Sequence, residues 1–385
     1  MEPGYIIPPQ GPIASPPQEP APVRKTHWWQ LVTVLLVLLG SLFALGIVFG
    51  DKFAFDPFEQ IRARFVAPDE RLQGQLFFTL TAKSDDGPTP YVFDFSEGRL
   101  KLLGDKAMPG KGVVHTLYHS LSADGYWGAF VGVVDAEYEA AGKNFAVAQV
   151  YRVDMAKGQN LESAFDQATP ATFVISAQKR LPSVSPAGGL VYTSRGKGIT
   201  DKNLSPLSDA ESWVIYHVDI TGVERYIDLG VSPKWIDANH FVYWKNDGMY
   251  LHTVSSALSE KVWGSHGPIY SNMKMDVSDD GRFITWSAPD SGRVFVLEVL
   301  DWGFGSFSSL RSIQLRGIID VHGFWTAISP DNKYIAVQAV DWENLSTNPR
   351  PRIVFYSMEN LEKIPFEIDL DAYQQEAMFM TDWVQ

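Results

Sequence analysis

A tight turn that recurs six times is the feature of this sequence that most constrains its fold. In each copy a turn residue is followed, two positions later, by a large apolar side chain in a short strand-like run. The turn residues lie 42 to 63 residues apart, and all are glycine or asparagine, which best tolerate the left-handed backbone of a tight hairpin. They are Gly74, Gly125, Gly188, Asn239, Gly281 and Asn332. The repetition predicts six copies of one β-hairpin.

Each copy also carries a later strand-like run, from "YVFDFSEG" after the first turn to "IVFYSMEN" after the sixth. Four short strands in a unit of about 40 to 60 residues are the period of a β-propeller blade. Such a blade buries both faces of its sheet only when neighbouring blades stack on it. The sequence therefore predicts an all-β fold, a six-bladed β-propeller over residues 71–385, preceded by a single transmembrane α-helix.

The best copies of the turn are "SPDN" (Ser329–Asn332), "SDDG" (Ser278–Gly281) and "SPAG" (Ser185–Gly188). Each is followed by a strand of the "YIAV" type, and together they resemble the WD40-like repeats of the TolB-type propeller family over residues 71–385. The first copy and the "IDAN" of the fourth depart from that pattern. The resemblance implies a propeller that holds partners or gates a channel. Similar blades occur in the propellers of prolyl-oligopeptidase-like enzymes.

The last residues of the chain, "MFMTDWVQ", look like the strand that precedes each turn, as "VSPKW" does before Ile236. The first copy has Gly74 and the run "LFFTL" but no convincing strand before that turn. We therefore expect the C-terminal strand to complete blade one, which would close the ring and leave no open sheet edge.

A run of 23 uncharged residues, Trp28–Gly50, precedes the repeats. It is long enough to cross the bilayer core, which takes about 20 residues at 1.5 Å rise each. It continues too far for a signal peptide, so we interpret it as an uncleaved anchor. Arg24 and Lys25 precede it and Trp28 and Trp29 mark its interface, which places the N-terminus in the cytoplasm. We predict a single-pass protein of the plasma (bacterial inner) membrane with an extracytoplasmic propeller.

Two shorter segments flank this predicted anchor. Residues 1–27 form a cytoplasmic tail whose first 23 residues contain eight prolines, so we expect it to be disordered. Residues 51–70 form a juxtamembrane helix or linker. Asp56 is a plausible N-cap there, with Pro57 at the first helical position and Glu59 at the capping-box position.

Composition excludes several classes of function. The formal net charge is -13, and an acidic domain does not attract polyanions, so nucleic acid is not an expected partner. The chain has no cysteine, which excludes disulfides, thiolate metal sites and cysteine nucleophiles. We expect no cofactor. The expected partners are the lipid bilayer, through residues 28–50, and one or more proteins.

Long loops between the second and third strands of blades two, three and six are the candidate docking surface. With the ring closed they occupy one contiguous half of one rim, and they mix acidic, basic and aromatic groups, among which tryptophan and arginine are favoured interface anchors. The candidate residues are Asp135, Glu137, Tyr138, Arg195, Lys197, Trp342, Arg350 and Arg352. A docking rim and ordinary solvated loops are both open interpretations.

Candidate catalytic groups are few. The sequence has no Gly-x-Ser-x-Gly elbow, and we do not expect an enzyme. His115 and His119 are four residues apart in a segment that should be an extended inner strand, where both side chains would share a face toward the channel. They are weak candidates for a metal or ligand. The main hypothesis is a protein-binding scaffold, and the alternatives are an enzyme or ligand- or metal-binding protein that uses the central channel, and a structural subunit recruited through its tail.

Overall fold

The computed structural model of the protein describes twelve stretches of the chain between Leu72 and Val384. They are residues 72–82, 88–103, 113–140, 143–158, 161–172, 179–195, 213–264, 274–288, 293–304, 312–340, 351–369 and 375–384. The tail, transmembrane helix and juxtamembrane segment predicted over residues 1–70 lie outside them. Within these stretches no helix is long and apolar enough to cross a bilayer.

Six four-stranded antiparallel sheets make up the described chain, and each is one blade. Blade one contains, in sheet order, β24 (Gln375–Val384), β1 (Gln75–Ala82), β2 (Pro88–Asp94) and β3 (Arg99–Leu102). Blade two contains β4 (Val113–Leu121), β5 (Trp127–Ala140), β6 (Lys143–Asp154) and β7 (Thr169–Pro170). Blade three contains β8 (Lys179–Val184), β9 (Leu190–Arg195), β10 (Trp213–Val218) and β11 (Glu224–Leu229). A 3-10 helix (Met155–Lys157) and a short α-helix, α1 (Leu161–Asp166), lie between β6 and β7.

Blades four to six follow the same order. Blade four contains β12 (Val231–Trp235), β13 (His240–Lys245), β14 (Gly248–Thr253) and β15 (Leu258–Gly264). Blade five contains β16 (Met275–Val277), β17 (Phe283–Ala288), β18 (Arg293–Asp301) and β19 (Ser312–Asp320). Blade six contains β20 (Gly323–Ile328), β21 (Tyr334–Val340), β22 (Pro351–Ser357) and β23 (Lys363–Asp369). The predicted all-β, six-bladed propeller is confirmed.

The first strand of each blade forms the inner wall of a closed ring. Inner strands of consecutive blades contact one another in the order β4, β8, β12, β16, β20 and β24, and β24 contacts β4 again. The ring closes because β24 pairs with β1, from Gln75 opposite Val384 to Ala82 opposite Gln375. The last described strand thus supplies the inner strand of blade one, and Trp383 of β24 packs among buried side chains of that blade and of blade six.

The recurring turn is held by a serine and an aspartate two residues apart. The hydroxyl of Ser329 donates to the carboxylate of Asp331 at 2.7 Å and accepts the N–H of Tyr334 at 2.9 Å. Asn332 follows with φ of 59°, the left-handed conformation that its residue type was expected to provide. Blades two and five repeat the contact with Ser122 and Asp124, and with Ser278 and Asp280.

The turn of blade four is an exception to the expected left-handed rule. Asn239 does not have a positive φ, whereas the other five turn residues do. Asp237 organises this turn instead, because one of its carboxylate oxygens accepts the N–H groups of Asn239 at 2.7 Å and His240 at 2.8 Å. A side chain that binds the turn backbone directly makes the left-handed residue unnecessary.

Removal of residues 378–385 should destabilise the whole propeller, since it deletes most of β24 and the buried Trp383. Loss of one buried tryptophan side chain costs about 3–5 kcal/mol, and the melting temperature should fall by roughly 10 °C or more. Thermal melts followed by circular dichroism measure the change, with removal of Gln385 alone as the control. A truncated chain that melts at the parent temperature would show that β24 does not close the ring.

Candidate functional site

Six side chains at equivalent positions of the inner strands form a layer across the channel, here called the inner ring. In blades two to six the residue lies five positions before the turn residue, and strand pairing places Asp382 at the same position in blade one. The members, in blade order, are Asp382, Ser120, Ser183, Lys234, Asp276 and Ala327. Three of the six are charged although they lie at the centre of the fold.

Lys234 bridges the two carboxylates of the inner ring. Its Nζ lies 3.0 Å from Oδ1 of Asp382, as a hydrogen bond, and 3.0 Å from Oδ1 of Asp276, as an ion pair without hydrogen-bond alignment. Burial by itself would lower the pKa of Lys234, but the two carboxylates outweigh burial and hold that pKa well above the usual value for lysine. Lys234 is therefore a permanent cation that joins blades four, five and one.

The second oxygen of each carboxylate binds the next blade. Oδ2 of Asp276 accepts the backbone N–H of Ile328 in blade six at 2.8 Å. Oδ2 of Asp382 accepts the N–H of Leu121 at 3.0 Å and the hydroxyl of Ser120 at 3.1 Å, both in blade two. The two aspartates therefore connect five of the six inner strands through one lysine.

Neutral side chains make the same kind of contact elsewhere around the ring. Ser183 Oγ accepts the N–H of Trp235 at 3.2 Å, which links blade three to blade four. Ser232 Oγ accepts the N–H of Met275, which links blade four to blade five. These inner strands meet side by side but do not form a sheet with one another, so side-chain acceptors satisfy their buried N–H groups.

Immediately before the inner ring, three adjacent inner strands adopt a strained backbone. Tyr118, Leu181 and Ser232 have φ values of 55°, 49° and 53°, each two residues before its ring member. Each lies where the strand pairing shifts register, as in a β-bulge. The left-handed conformation costs a residue with a Cβ about 1–2 kcal/mol, and such strain tends to cluster at functional sites.

The inner ring separates two cavities along the channel axis. The upper cavity is lined by the residues that precede the ring, including Tyr118, Leu181, Ser232 and Lys274. The lower cavity is lined by the residues that follow it, including Asp279, together with Asp382 of the ring. Lys234 and Ser183 line both cavities. The lysine bridge therefore fills the channel between them.

The two candidate histidines lie on β4, and the register shift of that strand begins between them. His119 is 3% exposed and packs against Phe130 and Phe165, with ring centroids 5.6 and 5.4 Å away. Burial lowers the pKa of His119 to about 3, so this side chain is neutral. The register shift between Leu117 and Ser120 interrupts the alternation of faces that our strand argument assumed. Across the described stretches, no group of three His, Asp or Glu side chains is placed to hold a metal ion.

The predicted docking residues fall on three different parts of the structure. Asp135, Glu137 and Tyr138 belong to β5, Arg195 is the exposed last residue of β9, and Arg352 lies half-buried in β22. The other three, Lys197, Trp342 and Arg350, lie outside the described residues, so the grouping of all eight on one rim stays a prediction.

Sequence reasoning missed the inner ring, although a signal was present. The residue five positions before the turn reads Ser, Ser, Lys, Asp and Ala in blades two to six. Lysine and aspartate at a position that the repeat makes central are unusual, because charged side chains are rarely buried without a partner. An alignment of the repeats would therefore have marked Lys234 and Asp276. Asp382 requires the additional step of closing the ring.

No protein-family model and no curated protein matches the sequence. Solved structures do match. Hydrazine synthase from Kuenenia stuttgartiensis aligns with a TM-score of 0.49 and 12% identity, over 80% of this chain and 46% of that chain. A putative TolB from Agrobacterium tumefaciens aligns with a TM-score of 0.43 and 13% identity, over 77% and 90%. The periplasmic gluconolactonase of Pseudomonas aeruginosa aligns with a TM-score of 0.42 and 13% identity, over 80% and 99%.

At these values the likeness describes the propeller architecture and assigns no activity to this chain. A putative TolB is among these structural neighbours. No family model identifies the repeats as WD40-like.

Replacement of Lys234 by methionine should destabilise the propeller by about 3–5 kcal/mol, because it leaves two buried carboxylates without their cation. Chemical denaturation measures the loss. The control is Lys245→Met, which breaks a 3.0 Å ion pair with Asp228 at the periphery of blade four. Partly exposed pairs contribute at most about 1 kcal/mol, so equal losses in the two variants would contradict a special role for the inner ring.

Proposed function

We propose that this protein is a membrane-anchored binding scaffold whose propeller lies outside the cytoplasm and docks a protein partner at the rim of blade two. One observation carries this proposal. The central hairpin of blade two, β5 with β6, is far longer than the corresponding hairpin of a typical blade in this ring. Its strands have 14 and 12 residues, whereas β13 and β14 of blade four have six each.

The additional length forms a two-stranded ribbon, whose described residues are 135–140 of β5 and 143–146 of β6. Pairing between β4 and β5 ends at Val113 opposite Val134, and β6 pairs with β7 only at Tyr151 and Arg152. Beyond Val134, β5 and β6 continue to pair with each other as far as Ala140 opposite Lys143. A register shift follows Val134, and the four cross-strand pairs beyond it, at about 3.3 Å each, extend roughly 13 Å. No other described strand pairs with the ribbon over this length.

An isolated two-stranded ribbon is marginally stable in water, so a ribbon of this length supports a role in contacting something outside its own sheet. Its sequence contains Asp135, Glu137 and Glu139 against a single cation, Lys143. Opposite charge steers association and suppresses wrong partners. We therefore expect the partner to present a basic surface to the ribbon.

The anchoring part of the proposal is supported by the sequence alone. The 23 uncharged residues Trp28–Gly50 meet the length requirement of a membrane helix, and the cations before them favour a cytoplasmic N-terminus. A filled channel is consistent with a scaffold as well, because Lys234 occupies the middle of the ring that a channel enzyme would leave open for substrate.

Removal of the ribbon should abolish partner binding and leave the fold intact. Residues 135–146 are replaced by Asn-Gly, which joins Val134 directly to Val147, its present cross-strand partner, through a two-residue turn. Full-length protein is purified from its native membrane in mild detergent, and copurifying proteins are identified by mass spectrometry. We expect one stoichiometric partner with the parent chain and at least about a tenfold loss with the variant, since a ribbon that makes the contact would supply more than 1.4 kcal/mol.

A charge-reversal pair refines this experiment. Asp135→Lys with Glu137→Lys should weaken the same association. Glu359→Lys with Glu362→Lys makes the same charge change at the exposed turn between β22 and β23 of blade six, at the other end of the strands, and should not weaken it. A partner retained by the ribbon deletion, or lost equally with both charge pairs, would refute docking through the ribbon.

Two charges in the apolar run should release the protein from the membrane. Leu36→Arg with Leu39→Arg places two guanidinium groups in the middle of Trp28–Gly50, at a cost of about 2.5–3.5 kcal/mol each. Membranes are extracted at alkaline pH, and the protein is assayed in pellet and supernatant. We expect the parent in the pellet, the variant in the supernatant, and the control Ile6→Arg with Ile7→Arg in the pellet. Extraction of the parent would exclude the anchor.

A further inference from the structure

The upper cavity has the lining of a binding site for a small anion. It is partly open to solvent, and the space within it that the centre of a water molecule can occupy is ≈ 20 Å³. Two lysines, Lys234 and Lys274, line it together with the hydroxyl groups of three serines, and no carboxylate is among its lining residues within the described chain. The lower cavity, by contrast, is lined by Asp279 and Asp382. Carboxyl groups therefore line the channel on one side of the inner ring, and on the other side the described lining contains none.

Lys274 is the group in this lining that lacks an adequate counter-charge. Its side chain is 5% exposed, and its ammonium donates one hydrogen bond, to the carbonyl oxygen of Thr326 at 2.7 Å. An ammonium group has three donors, and a buried charge requires pairing to offset its desolvation. Lys234 differs, because two carboxylates lie 3.0 Å from it.

The charges around Lys274 also set it apart from Lys234. Burial lowers the pKa of Lys274 to about 8, and the cation of Lys234 on β12 acts in the same direction. The carboxylates of Asp276 on β16, two residues further along the chain, and of Asp382 on β24 raise the pKa of Lys274 without restoring its usual value. From β20, the group that contacts the ammonium of Lys274 is the carbonyl oxygen of Thr326. At neutral pH Lys274 is thus a cation that an added anion would stabilise.

The strained backbone belongs to the same cavity. Tyr118, Leu181 and Ser232 all line it, and each adopts the left-handed conformation at the same register of its inner strand. The blade architecture does not require a left-handed residue at this register, because the inner strand of blade six, β20, has none. Strain that recurs in three adjacent blades around one cavity indicates that this part of the channel is shaped for occupancy.

We infer that the upper cavity binds a carboxylate group, which pairs with the ammonium of Lys274 and accepts hydrogen bonds from the hydroxyl groups of Ser183 and Ser232, whose hydrogens are not used by the contacts described above. Among the described residues, Lys274 is the lining cation without an ion-pair partner; one such cation matches one negative charge, so this lining fits a carboxylate monoanion better than a doubly charged phosphate. The inference rests on the channel lining and goes beyond the proposed docking at the ribbon. The carboxylate has two sources, a free small acid or an acidic side chain of a protein partner.

Acetate is the first probe. Full-length protein in mild detergent is melted with increasing sodium acetate, at an ionic strength held constant with a sulfonate too bulky for the cavity. A ligand that binds the folded state raises the melting temperature with concentration. We expect this rise in the parent and none in Lys274→Met. Because each variant is compared with itself without acetate, its own stability cancels.

Lys179→Met is the matched control. Lys179 is also a buried lysine whose pKa burial lowers to about 8, but it donates to Thr172 and lines neither cavity. It should therefore respond to acetate as the parent does. A rise in Lys274→Met equal to that of the parent, or no rise in the parent, would overturn the inference.

The pH dependence gives a second readout. Only protonated Lys274 pairs with a carboxylate, so the affinity for acetate should fall by about tenfold per pH unit once the pH exceeds about 8. An affinity that stays constant up to about pH 10, where even a normal lysine begins to titrate, would contradict pairing with Lys274.

Peptide probes distinguish the two sources. The tripeptide acetyl-Ala-Glu-Ala-amide is compared with its Gln counterpart and with acetate. A larger response to the Glu peptide than to acetate assigns the site to a protein carboxylate. A response to acetate alone assigns it to a free acid. Either result supports the inference. If the ribbon deletion does not change partner binding, the acetate and peptide results can still be interpreted, because the ribbon does not line the cavity.

Discussion

The bridge between Lys234, Asp276 and Asp382 is the interaction on which the geometry of the propeller centre depends. Separately, each of these charges would be costly to bury. Together, they use one cation and two carboxylates, and the remaining carboxylate oxygens accept backbone N–H groups of blades six and two. Because the hydrogen bonds are directional, the bridge specifies how the inner strands are rotated relative to one another and not merely that they approach.

The same bridge links ring closure to electrostatics. Asp382 belongs to β24, the strand that completes blade one from the far end of the sequence. Pairing with β1 holds that strand by its backbone, and Lys234 holds it from across the channel. A closed propeller has no free sheet edge, but it must fasten its first and last strands to each other. Here backbone pairing, the buried Trp383 and the lysine bridge all contribute to that fastening.

Filling the ring leaves a channel with two chemically different ends. Above Lys234 the strands carry left-handed residues, lysines and hydroxyl groups, whereas below it they carry carboxylates and the tightly bonded turns. The aromatic rings of Tyr118 and Trp325, from blades two and six, stack at 5.7 Å beside the upper cavity. The ribbon of blade two lines neither cavity, so the proposed docking surface is separate from the channel.

The sequence by itself determined the repeat and the number of blades. Those properties are local, since a Ser-x-Asp turn such as Ser329–Asn332 bonds to its own backbone and each copy repeats the same short strands around it. It misjudged Asn239, because Asp237 replaces the left-handed residue in that turn. It also could not foresee the bulge at Tyr118, which is neither glycine nor asparagine and interrupts the alternation of faces along β4.

Only the tertiary structure decided which charges meet. Ser120, Lys234, Asp276 and Asp382 lie on four different blades, and no local pattern states that their side chains converge on one layer. Convergence follows from the rotation of each blade about the channel, which places equivalent positions of distant repeats side by side. The chemistry of the centre is therefore a property of the closed ring, whereas the strands that build it are properties of the sequence.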